Sequence, residues 1–134
     1  MGALKVCLWV AGFGCLLSLF GLFMPIESIE AFAKAFGGQA FPQSPIFLYA
    51  IRVMAATYVA AGAFYIILAV RPMNYGGLVP VSGVAAAFVG VVCWATGLAV
   101  GMPPVWYLGD ALSCIVLGIL IVLFWRRAKK ASGT

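Results

Sequence analysis

Residues 105–130 read VWYLGDALSCIVLGILIVLFWRRAKK. An apolar run of about 20 residues, closed by a tryptophan and then by four cations, describes a helix that crosses a bilayer and stops at the headgroups. At 1.5 Å per residue such a run spans the ~30 Å hydrocarbon core. Tryptophan favours the interface, and lysine and arginine favour the cytoplasmic side. Arg126, Arg127, Lys129 and Lys130 thus read as a juxtamembrane anchor for anionic headgroups, and nucleic acid is not an expected partner.

Outward from this segment the same pattern recurs. Of the 134 residues, 66% are hydrophobic and 8% charged, against about 25% charged in a soluble domain. Most of the exterior must therefore face lipid. Lys5 precedes an uncharged run over residues 6–24 that ends at Pro25. Ala31-Phe32-Ala33 imitates a signal-peptidase site. The apolar run is longer than a signal peptide's, however, and the site lies too far beyond it. A second span over residues 45–70 opens at Pro45, a favoured first-turn position. Arg71, Pro72, Asn74 and Gly76-Gly77 reverse the chain. A third span covers residues 78–100, and Gly101-Met102-Pro103-Pro104 turns into the fourth, residues 105–125. Between the first two spans, Ile26, Ile29, Ala33 and Phe36 recur at helical spacing, predicting a short amphipathic surface helix that Gly37-Gly38 breaks before Pro42.

The fold class is therefore an all-α, integral-membrane four-helix bundle. Lys5, Arg71, Arg126, Arg127, Lys129 and Lys130 fall on one side, and Lys34 alone on the other. The positive-inside rule places both termini in the cytoplasm and the amphipathic helix outside, as in a bacterial inner membrane. Trp106 and Trp125 mark the two interfaces. Packing between spans is expected to use small residues: Ser82, Ala86, Gly90, Gly97 and Gly101 in the third, and Ala55, Ala56, Ala60, Gly62 and Ala63 in the second.

Two ionisable residues fall inside the spans, Arg52 and Asp110. Each is costly there, about 2.5–3.5 kcal/mol on insertion scales, unless paired or hydrated. Arg52 follows Pro45 by seven residues and Asp110 follows Pro104 by six, so each lies about 10 Å down its helix from the same side. Arg52 shares a face with Tyr49, Ala55, Ala56, Val59 and Ala63; Asp110 shares one with Trp106, Tyr107, Ser113 and Cys114. An Arg52–Asp110 ion pair inside the bundle is the expectation. Two readings of it compete. In one it fixes how the second and fourth helices align. In the other it floors an external pocket for a headgroup, an anion or a proton, with Tyr49, Tyr107 and Glu27 or Glu30 above it.

Chemistry is otherwise sparse. The chain has no histidine, and Cys7, Cys15, Cys93 and Cys114 lie singly in apolar runs, so no metal, disulfide framework or cofactor is expected. Ser18, Ser82 and Ser113 have no base in pattern with them. No catalytic residue emerges, and the expectation is a non-enzyme.

Arg52 followed by Tyr58 and Gly62 in the second span, and Gly109-Asp110 followed by Gly118 in the fourth, resemble the small bacterial four-helix membrane proteins of the DoxX-like kind. The resemblance implies a compact bundle, in some members a partner of a larger membrane assembly, and it transfers no catalytic residue. The leading functional expectation is an accessory or stabilising subunit of a membrane complex, in contact with the lipid bilayer and with a membrane-protein partner or a second copy. The rival is a small transporter or a lipid or small-ligand binder using the external pocket.

Overall fold

The computed structural model describes residues 2–35, 44–101 and 103–131, and is helical almost throughout. The elements are α1 (Gly2–Leu16), α2 (Ser18–Phe23), α3 (Ile26–Ala35), α4 (Pro45–Val70), α5 (Leu78–Val100) and α6 (Pro104–Ala131). Among the described residues, four segments are long and apolar enough to cross a membrane: Gly2–Phe23, Pro45–Val70, Leu78–Val100 and Tyr107–Ala131. The expected Gly37-Gly38 break, Phe36, Pro42 and Met102 lie outside the described residues, as does the side chain of Trp106.

Each boundary has a local cause. α1 and α2 form one span with a tightened step at Leu17, where the Phe20 N–H reaches back three residues to the Leu17 carbonyl, 3.1 Å away. Met24 adopts an extended conformation (φ −63°, ψ 143°), the region into which a following proline drives its neighbour. The span stops there. Pro25 then accepts from the N–H groups of Ser28 and Ile29 and opens α3, whose helix and apolar spacing match the expected amphipathic segment. α4 starts at Pro45 behind Ser44, whose hydroxyl accepts from the Phe47 N–H at 3.2 Å, an N-cap next to a first-turn proline.

The chain divides into two compact units, Gly12–Ile66 and Met1–Ala11 with Ile67–Thr134. In the second, Leu4, Leu8, Leu68, Val79 and Ile121 have no exposed surface. Its α5 and α6 run antiparallel at backbone contact. A Cβ on Gly83 would meet the Gly118 carbonyl oxygen at 2.8 Å, and one on Gly90 would meet that of Ala111 at 2.7 Å. A Cβ on Gly97 would overlap the Tyr107 ring. Residues 83, 90 and 97 are seven apart, so they stay on one stripe along a shallow crossing. The four-residue series from Ser82 is thus corrected: Ser82 and Gly90 are buried, but Gly83 makes the contact and Ala86 is only half-buried. Gly101 is no packing residue either. It sits in the left-handed region (φ +69°) and returns its N–H to the carbonyls of Gly97 and Leu98, capping α5.

In the Gly12–Ile66 unit, α1 and α4 approach through Gly12 and Gly62. A Cβ on Gly62 would meet the Gly12 carbonyl oxygen at 2.8 Å. Of the small residues expected to pack from the second span, Ala55 and Gly62 are buried, whereas Ala56, Ala60 and Ala63 are exposed. Ala69, seven residues after Gly62, continues the buried series at 1% exposure. One inward stripe on α4 satisfies the close approach, and the other alanines face out.

Candidate functional site

Arg52 stands three residues before Ala55, on the same stripe of α4. Its guanidinium reaches the end of the first span. Nη1 donates to the Gly21 carbonyl at 3.1 Å and to that of Leu22, and Nη2 donates to that of Met24 at 2.9 Å.

The reason lies in the backbone. The last carbonyls of any helix lack donors from their own helix. Here the Met24 N–H still closes on the Phe20 carbonyl at 2.8 Å. The Gly21 carbonyl would next take the N–H of residue 25, and Pro25 has none. Arg52 supplies that donor from the neighbouring helix, and extends to Leu22 and Met24. Its positive charge also faces the negative end of the helix dipole. Charge-assisted hydrogen bonds of this kind are worth about 1.5–3 kcal/mol each. Depth fits as well: seven residues below Pro45 on α4 is the level at which the first span ends. The signal for this arrangement was in the sequence at Pro25, which removes a donor where a span must still satisfy its carbonyls.

Tyr49, one turn before Arg52, is 71% exposed. Glu27 is exposed, while Glu30 accepts from Lys34 at 2.9 Å within α3. Tyr107 and Asp110 belong to the other compact unit. Tyr107 is buried, with its ring over Gly97. Asp110 is exposed on α6, and its backbone carbonyl accepts from the Ser113 hydroxyl at 2.9 Å. The anchor residues Arg126, Arg127, Lys129 and Lys130 are all exposed and all helical.

The polar side chains of the spans repeat one theme. Thr57, Ser82 and Ser113 each donate to a carbonyl three or four residues earlier, the satisfied state of a hydroxyl in an apolar helix. Arg52 does for a neighbouring helix what these do for their own. Its guanidinium offers only donors and accepts nothing, so chemically it is a positioning group.

No protein-family model, no curated protein and no solved structure matches the chain. The class that the fold defines is a multi-pass, all-helical membrane protein, by the length and composition of its four long helices.

Proposed function

We propose that this chain is a non-catalytic accessory or stabilising subunit of a larger membrane complex, with both termini cytoplasmic in a bacterial inner membrane. The DoxX-like resemblance points in the same direction. The observation that carries the reading is Asp110, a carboxylate exposed on the flank of a membrane-length helix. Such a group is expensive against lipid and is satisfied by a partner's cation or hydrogen-bond donors. The Arg52 guanidinium joins two helices and the hydroxyls of Thr57, Ser82 and Ser113 donate to helix carbonyls, which supports a role in assembly over one in catalysis. The pocket reading is less well supported, because Tyr107 is packed on Gly97 and Glu30 is held by Lys34.

A photo-crosslinking residue in place of Ser113, one turn from Asp110, tests the proposal in native membranes. The expected product is a heterologous membrane protein joined to the chain, lost when Asp110→Asn is added. Crosslinks to lipid alone, or to a second copy alone, contradict the accessory role.

A further inference from the structure

Asp110 shares its flank of the molecule with residues of a second helix. α5 and α6 belong to one compact unit, and the approaches of Gly90 to Ala111 and of Gly97 to Tyr107 set their register. On α6, Asp110 lies between those two points of contact; on α5, Cys93 does. The Asp110 charge acts on the Cys93 thiol, so both stand on the same side of the helix pair. Thr96 is the next turn of α5 on that side, and Ser113 the next turn of α6. Thr96, Asp110 and Ser113 are exposed and Cys93 is half-buried. Small side chains on two helices at backbone contact leave a shallow groove into which one further helix can pack.

The groove presents acceptors. Ser113 commits its hydroxyl hydrogen to the Asp110 backbone carbonyl, so its oxygen offers lone pairs alone. An ionised carboxylate also only accepts, and among the described residues no hydrogen bond or ion pair reaches that of Asp110. Of the chain's cations, Arg52 donates to the end of the first span and Lys34 pairs with Glu30. Arg126 begins sixteen residues further along α6, about 24 Å away. The complement of this groove is a positively charged group made only of donors, an ammonium or a guanidinium. Six residues past Pro104, about 9 Å into the span, lipid tails supply neither.

Resting on the accessory-subunit reading, we infer that this groove receives a membrane-spanning helix of the partner that carries a lysine or arginine at the level of Asp110. Its basic group bonds the Asp110 carboxylate and the hydroxyl oxygens of Thr96 and Ser113. Two charges that are each costly against lipid then neutralise one another across the interface.

Photo-crosslinking residues placed at Thr96 and, on the opposite flank of α5, at Leu98 test this in native membranes, with the linked peptide sequenced by mass spectrometry. Position 96 should link an apolar segment of about 20 residues that contains a lysine or arginine, and position 98 should link lipid. Asp110→Asn should lower the yield at position 96 about tenfold or more, and Asp110→Lys should abolish it. Changing the partner's basic residue to aspartate beside Asp110→Lys should restore it. The thermal midpoint of the isolated chain in detergent, measured in parallel, should be the same for Asp110→Asn as for the wild type, because no bond within the chain is lost. Lipid alone or a second copy alone at both positions contradicts the accessory role, and the groove's occupant with it. A heterologous protein linked at position 98 and not at 96, or linked through a segment with no basic residue, overturns the inference and leaves the accessory role standing. So does a yield at position 96 that Asp110→Asn leaves unchanged, or a lowered midpoint for that variant.

Discussion

The α5 end at Gly101 and the α2 end at Met24 solve one problem in two ways. Both spans must stop, and both leave carbonyls that lipid does not satisfy. α5 closes on itself: Gly101 turns left-handed and its own N–H returns to Gly97 and Leu98. α2 cannot, because Pro25 provides no N–H, and an arginine from α4 takes over. The bodies of the two helix pairs are alike, with small residues seven apart on α4 (Ala55, Gly62, Ala69) and on α5 (Gly83, Gly90, Gly97). The lesson is that close packing joins helices along their length, while polar groups are recruited where backbone pairing fails. The charge of Arg52 is then a response to a neighbour's backbone.

The largest effect should come from breaking the packing, not the caps. Gly118→Leu drives a side chain into the Gly83 carbonyl and the Ala87 backbone of α5. Backbone cannot yield as a side chain can, so a loss of about 3 kcal/mol or more is expected, read as a large fall in thermal midpoint in detergent. Arg52→Gln should follow, at about 2–4 kcal/mol, since two or three carbonyls lose charge-assisted bonds. Hydrogen exchange should accelerate at the amides of residues 21–24 and remain slow across α5 and α6. Gly101→Ala breaks the other cap by forcing a Cβ into a positive-φ conformation, at about 1 kcal/mol. Its exchange signature should be confined to the end of α5, the mirror of the Arg52 result. The smallest effect belongs to Lys34→Gln. Its i,i+4 pair with Glu30 leaves the lysine 55% exposed, so about 0.3 kcal/mol is expected, vanishing in high salt.

Much of the fold was legible because hydrophobic length and punctuation are local properties. Pro45, Arg71-Pro72 and Gly101 bound helices where their chemistry requires it, and the amphipathic spacing from Ile26 becomes α3. The last helix runs beyond the expected end at residue 125 to Ala131, since lysine and arginine propagate a helix well even where hydrophobicity ends. Which small residues touch was not legible. Ala55 and Ala56, or Ser82 and Gly83, are equivalent by composition, and only the partner's backbone decides between them. The sequence singles out Arg52 as a charge that needs a partner, and the carbonyls of Gly21, Leu22 and Met24 accept from it. The sequence expectation falls on Asp110 because an unlike charge is visible in a sequence. A run of unsatisfied carbonyls is not, except through the proline that creates it.

That dependence can be measured. Replacing Pro25 by Ala restores an N–H within reach of the Gly21 carbonyl, so the first span should need Arg52 less. A thermodynamic cycle of Pro25→Ala, Arg52→Gln and the double variant, followed by reversible unfolding in detergent, tests the claim directly. If Arg52 caps the first span, losing it should cost at least about 1 kcal/mol less when residue 25 is alanine. If the arginine's removal costs the same in both backgrounds, its role lies elsewhere and the cap is wrong.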